Sequence, residues 1–100
     1  MYIYNITIKI DNNIIKEWLQ WQQQEHIPGI MRTGLFSDYK FFHLLEQDES
    51  EAHTYVVQFL TNDINNYREY LKTHAPALRE DAIKRWGDGF IAFRTLMESV

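Results

Sequence analysis

The fold is decided by the stretch Tyr2-Ile3-Tyr4-Asn5-Ile6-Thr7-Ile8-Lys9-Ile10 and by the residues that follow it. The even-numbered positions of this stretch are all apolar, which predicts a β-strand with one buried face. From Ile14 the apolar spacing changes to that of a helix, and Asp11-Asn12-Asn13 offer side-chain oxygens that can cap its start. We expect the helix to end or kink near Ile27, because Pro28 has no backbone N–H to donate. One face of this helix carries a stripe about 120° wide, made of Ile15, Trp18, Leu19, Gln22, His26 and Ile30.

The remaining segments follow in the order strand, strand, helix, strand. Residues 35–46 and 52–60 have the pattern of two strands joined by a polar turn, which predicts a hairpin. Thr61-Asn62-Asp63 offer the start of a second helix. Residues 64–86 then have helical spacing in two pieces, and residues 90–97 have the pattern of a last strand. The sequence therefore predicts an α+β fold: a ferredoxin-like βαββαβ two-layer sandwich, with a four-stranded antiparallel sheet and helices on one face. We expect residues 1–100 to form a single ferredoxin-like domain.

The sheet face that the helices leave uncovered is predicted to be too apolar for open solvent. On the first strand it would hold Ile3, Asn5 and Thr7, and on the last strand Ala92 and Arg94. The sequence leaves open which residues of the third strand join them: the odd-numbered set that includes Val57, or the even-numbered set that includes Val56. Either set favours a partner, most simply a second copy related by a two-fold axis. We therefore expect a homodimer through the sheet face, a dimeric α/β barrel enclosing a space in which a small molecule could bind.

The composition excludes several classes of function. The chain has 100 residues, a formal charge of −4 and no cluster of Lys and Arg, so we expect no nucleic-acid partner. It has no cysteine, which excludes disulfides, thiolate catalysis and Cys-ligated metals. No apolar run approaches the ~20 residues of a membrane span, and the start of the sequence lacks a signal-peptide pattern. A cytoplasmic protein without a membrane partner is the expectation.

Several short motifs resemble those of a small bacterial family of uncharacterised proteins. They extend over nearly the whole chain and comprise Glu17-Trp18-Leu19-Gln20-Trp21, Glu25-His26-Ile27-Pro28, Thr33-Gly34-Leu35-Phe36, Tyr39-Lys40-Phe41, Ala75-Pro76-Ala77-Leu78-Arg79 and Phe93-Arg94-Thr95-Leu96. That family is known mainly as a domain of unknown function, and the resemblance places the chain with the dimeric α/β barrels. The wider group includes antibiotic-biosynthesis monooxygenases, haem-degrading oxygenases, lactone isomerases and ether-degradation proteins.

The resemblance to the haem-degrading members is carried by one residue of three. Asn5 stands where those proteins place an asparagine on the first strand. Phe59 or Leu60 stands where they have a tryptophan, and His74 matches their helical ligand only loosely. The resemblance therefore does not imply haem, and we expect no cofactor. At the end of the first helix, His26-Ile27-Pro28 is similar to the His-x-Pro of the ether-degradation group.

Five polar or aromatic residues are candidates for a functional site. His26 lies in the apolar stripe beside Gln22, where an imidazole can act as base, acid or ligand, and it is the candidate catalytic residue. Arg94 can hold an anion through two parallel hydrogen bonds, and Trp21 lies about 60° off the stripe, at a pocket lip or an interface. The candidate ligand-binding residues are thus Asn5, Gln22, Trp21 and Arg94. Four of the candidates have a structural alternative. For His26 it is a buried imidazole with a hydrogen bond, and for Arg94 an ion pair with Glu46, Glu98 or a partner's acid. For Trp21 it is packing, and for Asn5 a structural amide.

No metal site is predicted. His43, His53 and His74 do not have the spacing of metal ligands with one another, and no His-Glu-x-x-His pattern occurs. The acidic run from Glu46 to Glu51 has the pattern of a solvated turn.

Two functions remain open. The preferred interpretation is a non-catalytic homodimer that binds a small molecule or a partner, which agrees with the lack of an evident acid–base pair. The alternative is a cofactor-free monooxygenase or isomerase acting on a small organic substrate, and it follows from the resemblance alone.

Overall fold

The structure is a computed structural model that describes residues 1–100. Its elements in chain order are β1 Tyr2–Asp11, a 3₁₀ turn Asn12–Ile14, α1 Ile15–Trp21, a π-helical turn Gln22–His26, α2 Ile27–Met31, β2 Asp38–His43, β3 Ala52–Thr61, α3 Ile64–Thr73, α4 Ala75–Trp86 and β4 Phe90–Glu98. The four strands form one antiparallel sheet in the order β2-β3-β1-β4. This is the ferredoxin-like order, so the predicted α+β fold class is confirmed.

The strand register settles which residues face the helices. Ile6 of β1 lies opposite Val57 of β3 on one side and opposite Arg94 of β4 on the other. Because side chains alternate along a strand, even-numbered residues of β1 and β4 share the helix face with odd-numbered residues of β3. The centre of the core is formed by even-numbered residues of β1 that are 0–7% exposed, namely Tyr4, Ile6, Ile8 and Ile10.

The first helical region is continuous but changes its winding in the middle. α1 passes into the π-helical turn, where the N–H of Ile27 donates to the carbonyl of Gln22, five residues back. α2 then continues to Met31. Pro28 lies in the first turn of α2, a position where a helix tolerates a residue without an N–H. The irregularity predicted near Ile27 is therefore present, but the helix does not end at that point.

The two predicted helix caps have different outcomes. No side chain of residues 11–13 caps the first helix, and the amide of Asn12 instead donates to the backbone carbonyl of Glu49 at 3.0 Å. At the start of α3 the prediction is confirmed, because Oδ1 of Asp63 accepts from the N–H of Asn65 at 2.9 Å. A capping oxygen of this kind satisfies a backbone N–H that has no partner within the helix.

The second strand is shorter than the sequence predicts. Residues 35–46 have a strand pattern, but β2 covers only Asp38–His43. Phe36 packs into the core at 5% exposure, whereas Leu45 lies outside the sheet at 68% exposure. The apolar residues at the two ends of the predicted strand therefore belong to a core-filling loop and to an exposed turn.

The sheet face opposite the helices is open and carries a mixture of large apolar side chains and polar ones. It carries Phe93 at 64% exposure, Ile91 at 57% and Phe42 at 48%. Val57, only 2% exposed, faces the helices, so the open face takes the even-numbered residues of β3, including Val56. No helix of the structure has the length and apolar character needed to cross a membrane.

Candidate functional site

A cavity of about 40 Å³ lies between the sheet and the helices. Its walls come from β1, β3, β4, α1, α2, α4 and the π-helical turn, and most of the lining residues are apolar. The polar groups that reach it belong to Gln22, His26, Arg94 and the indole of Trp86. Apolar walls with a few polar groups are typical of sites for small molecules. The volume is enough for about three water molecules or for the polar end of a small organic molecule.

The cavity lies on the helix face of the sheet and not in the space between two sheets that the sequence led us to expect. Asn5 is separated from it, because an odd-numbered residue of β1 points away from the helices. On the open face, Oδ1 of Asn5 accepts a hydrogen bond from Nε2 of Gln58 at 3.2 Å. The expectation that Asn5 shares a cavity with the other candidates is therefore corrected. The structure brings together the other four: Trp21, Gln22, His26 and Arg94.

Two buried polar atoms at this cavity have no hydrogen-bond partner in the protein. They are Oε1 of Gln22, a residue only 3% exposed, and Nε1 of Trp86. An unpaired polar atom in such a position costs about 1–3 kcal/mol, and native proteins keep few of them. One of the two atoms is an acceptor and the other is a donor. A small molecule that both donates and accepts hydrogen bonds would therefore satisfy the pair.

The imidazole of His26 is held inside a cluster of aromatic rings. It stacks on Trp21 with 4.4 Å between ring centroids, and Trp86 meets Trp21 edge-on at 5.6 Å. Burial lowers the pKa of His26 from 6.5 to about 4, while the negative charge of Asp81 raises it and the positive charge of Arg94 lowers it. At neutral pH the imidazole is therefore uncharged and can accept a proton or a hydrogen bond.

The π-helical turn explains why Trp21 and His26 meet. A regular α-helix places Trp21 off the apolar stripe that contains His26. A π-helical turn closes its hydrogen bonds between residues five apart, which brings the faces of such residues closer together. Trp21 immediately precedes this turn and His26 is its last residue. The contact between the two side chains therefore depends on the local change in winding, which regular helical spacing does not predict.

Arg94 brings a free positive charge to the mouth of the cavity. Its register position opposite Ile6 puts it on the helix face, where the side chain remains exposed, and not on the uncovered sheet face as the sequence led us to expect. It forms no salt bridge with Glu46, Glu98 or any other carboxylate of the chain. The ion-pair alternative within one chain is thus not observed, and the guanidinium is available to an anion.

Sequence reasoning missed two features. Helical spacing favours packing for Trp86, but only the structure shows that its indole N–H is left without a partner. The second feature is a contact between His43 and His53, whose ring centroids lie 5.5 Å apart across the hairpin, while His74 stacks separately on Tyr70. The spacing of the histidines along the sequence gives no sign of this contact. The strand register pairs His43 with Tyr55, so His53 is the diagonal neighbour of His43 on the same sheet face.

Comparison with known families gives one match over the whole chain. The family model described as Domain of unknown function (DUF4286) matches residues 1–100. No curated protein matches the chain.

Solved structures with the same fold are also found at low sequence identity. An ethyl tert-butyl ether D (EthD) family protein from Bacillus halodurans C-125 is 16% identical, with a TM-score of 0.72 over 100% of both chains. A dimeric ferredoxin-like protein from an uncultured marine organism is 13% identical, with a TM-score of 0.69 over 100% of this chain and 95% of that one. SnoaB, a cofactor-independent oxygenase from Streptomyces nogalater, is 11% identical, with a TM-score of 0.64 over 98% of this chain and 92% of that one. At these identities the likeness concerns the fold.

Proposed function

Since this chain belongs to the family Domain of unknown function (DUF4286), whose description names no activity, we propose its function from the geometry of the cavity. In this proposal the protein binds a small organic molecule between its sheet and its helices. It does so as a homodimer of ferredoxin-like domains, each comprising residues 1–100, joined through their open sheet faces. The function is recognition of that molecule.

The observation that carries the proposal is the pair of unpartnered polar atoms, Oε1 of Gln22 and Nε1 of Trp86. A core evolved only for stability would place apolar groups there, because unpaired polar atoms destabilise the fold. A ligand with a donor for Gln22 and an acceptor for Trp86 removes this cost. Arg94 at the mouth adds a preference for a negative charge, so small organic acids and enols are the class that fits best.

The size of the cavity limits how the ligand enters. A space of about 40 Å³ accepts a polar end of a few atoms and not a whole drug-sized molecule. The rest of the ligand would extend outwards past Arg94, whose exposed side chain lies at the mouth. Binding a larger group would require the aromatic cluster around Trp21 to open.

The dimer is supported by the apolar character of the open sheet face. Phe93 and Ile91 are more than half exposed there, and neighbouring strands add Phe42 and Val56. Large apolar side chains exposed on one face are a sign of an interaction site. A solved structure with this fold is described as a dimeric ferredoxin-like protein. A two-fold pairing of sheets would cover the open face of this chain.

A second candidate function is cofactor-free oxygenation or isomerisation, and the state of His26 is what favours it. An uncharged imidazole can take a proton from a bound carbon or oxygen acid and become an imidazolium. The anion left behind would face the guanidinium of Arg94. SnoaB, which shares this fold, is described as a cofactor-independent oxygenase.

Native mass spectrometry of the protein taken directly from cells tests the proposal. We expect a dimer that carries one small molecule per chain. Gln22→Met and Arg94→Leu should reduce or remove the extra mass, whereas the surface variant Arg68→Leu on α3 should keep it. A bare wild-type dimer, or extra mass retained by both cavity variants, would contradict binding in this cavity. A monomer would contradict the proposed assembly.

The same sample separates binding from catalysis. If recognition is the whole function, His26→Ala keeps a bound molecule identical to that of the wild type. If His26 is a catalytic base, the variant should instead accumulate an unreacted substrate whose mass differs from the wild-type ligand, because the proton acceptor is missing.

A further inference from the structure

A second group of chemically active side chains lies at one end of the sheet. His43 is the last residue of β2, His53 is the second residue of β3, and Glu49 lies in the loop between the two strands. One ligand atom from each residue lies within 4.8 Å of the others. The group is absent from the cavity lining and uses none of its residues.

The distances within this group are close to those of a metal coordination sphere. Nε2 of His53 lies 3.2 Å from Oε2 of Glu49, and Nε2 of His43 lies 2.6 Å from the same oxygen. Two ligands of a tetrahedral zinc ion, each about 2.0–2.2 Å from it, are about 3.3–3.6 Å apart. The first pair is within about 0.1 Å of this spacing. The second requires a movement of less than ~1 Å, which a partly exposed carboxylate can make.

Asn12 fixes the orientation of His53 in the way that outer residues orient metal ligands. The Nδ2 of Asn12 donates to the backbone carbonyl of Glu49 at 3.0 Å, so its Oδ1 is the atom that faces Nδ1 of His53 at 2.7 Å. An amide oxygen can only accept, so Nδ1 of His53 must carry the proton. In the neutral ring, Nε2 then presents its lone pair towards Glu49. This is the tautomer that a metal ligand needs, and the hydrogen bond from Nδ1 to Asn12 holds it.

Ring stacking holds the other imidazole in place. His43 stacks on Tyr55 at 5.0 Å between centroids and on His53 at 5.5 Å. The three side chains of the group remain 29–36% exposed, so an ion and a water molecule can reach them. The arrangement is thus fixed by neighbouring residues and still accessible from solvent.

We propose that His43, Glu49 and His53 bind a divalent first-row transition metal ion such as Zn²⁺, with Asn12 as the residue that positions His53. Two imidazoles and one carboxylate suit zinc and its neighbours and are poorly suited to Mg²⁺ or Ca²⁺, which prefer oxygen ligands. A fourth position remains for water. The site would connect β2, the following loop, β3 and the turn after β1, and it is independent of the proposed ligand cavity.

Titration of the purified full chain with Zn²⁺, followed by calorimetry against a competing chelator, tests this proposal. We expect one ion per chain, and Co²⁺ in its place should give the absorption of a tetrahedral site. His43→Gln, Glu49→Gln and His53→Gln should each weaken binding by more than about 100-fold, and Asn12→Ala by about 10–100-fold. His74→Gln, which removes a histidine outside the group, should bind as the wild type does.

A second measurement guards against variants that fail to fold. The melting temperature of the wild type should rise with Zn²⁺ concentration, because the ion binds only the folded chain. The rise should be absent in His53→Gln, even when circular dichroism shows that this variant is folded. The proposal is overturned if the wild type binds Zn²⁺ no more tightly than His43→Gln. It is also overturned if His74→Gln loses binding as the others do. In either case the contacts would be an ordinary histidine–glutamate hydrogen bond.

Discussion

Replacing His26 with glutamine should remove a specific part of the pH dependence of folding stability. In the folded protein burial lowers the pKa of His26 to about 4, whereas in the unfolded chain it returns to 6.5. Between about pH 4 and pH 6.5 the imidazole of the unfolded chain binds a proton that the folded protein excludes. Stability is therefore highest above pH 6.5 and is lost as the pH falls towards 4.

The size of this effect follows from the two pKa values. A difference of about 2.5 in pKa corresponds to about 3 kcal/mol of unfolding free energy, reached in full only below the folded value. Between about pH 7.5 and pH 5.5 the expected loss is about 1 kcal/mol. The carboxylate of Asp81 and the guanidinium of Arg94 act on His26 in opposite directions, so burial determines the sign.

Urea unfolding of the wild type and His26→Gln at these two pH values provides the assay. The wild type should lose about 1 kcal/mol more of its unfolding free energy than the variant on going to the lower pH. His74→Gln serves as the matched control and should follow the wild type, because it retains His26. Equal pH dependence in the wild type and His26→Gln would refute the burial of an uncharged imidazole at this position.

Three further outcomes are expected. Phe93→Asp on the open sheet face should convert the dimer to a monomer or an aggregate in light scattering. The control Ile83→Asp, on the exposed side of α4, should leave a dimer. A stable Phe93→Asp dimer would exclude that interface. Gln22→Met should stabilise the ligand-free protein by about 1 kcal/mol in urea unfolding, because it removes an unpaired buried acceptor. A large destabilisation would show instead that the amide of Gln22 is structural. Asp63→Ala should cost about 1 kcal/mol by the same assay, since the N–H of Asn65 loses its capping oxygen; an unchanged midpoint would contradict the cap.

The sequence predicts the order of elements correctly because two simple periods dominate it. Alternation along β1 and helical spacing from Ile15 onwards both come from burying one face of each element, and the structure keeps both. The register of β3 is not predictable in this way. Val56 and Val57 are both apolar, and a one-residue shift would exchange the two faces of the strand. The helix-face location of Arg94 and the separation of Asn5 depend on pairings that only the structure supplies.

The candidate site is predicted in composition but not in shape. His26 and Gln22 follow from the helical stripe, whereas the contact of His26 with Trp21 depends on a π-helical turn that a regular helical wheel does not contain. The unpaired state of Trp86 depends on every neighbour of its indole and has no signal in the sequence. The ring contact between His43 and His53 depends in turn on the length and path of the hairpin loop.

The most direct test of ligand binding in the cavity is ¹H–¹⁵N NMR of the three tryptophan indoles during titration with a panel of small organic acids. The N–H of Trp86 lacks an acceptor in the cavity, so its signal should move in a saturable manner when a ligand supplies one. The shift should disappear in Arg94→Leu, while the indole of the core residue Trp18 reports whether the fold has changed. If no acid moves the Trp86 signal, or if the shift persists unchanged in Arg94→Leu, binding at this cavity is contradicted.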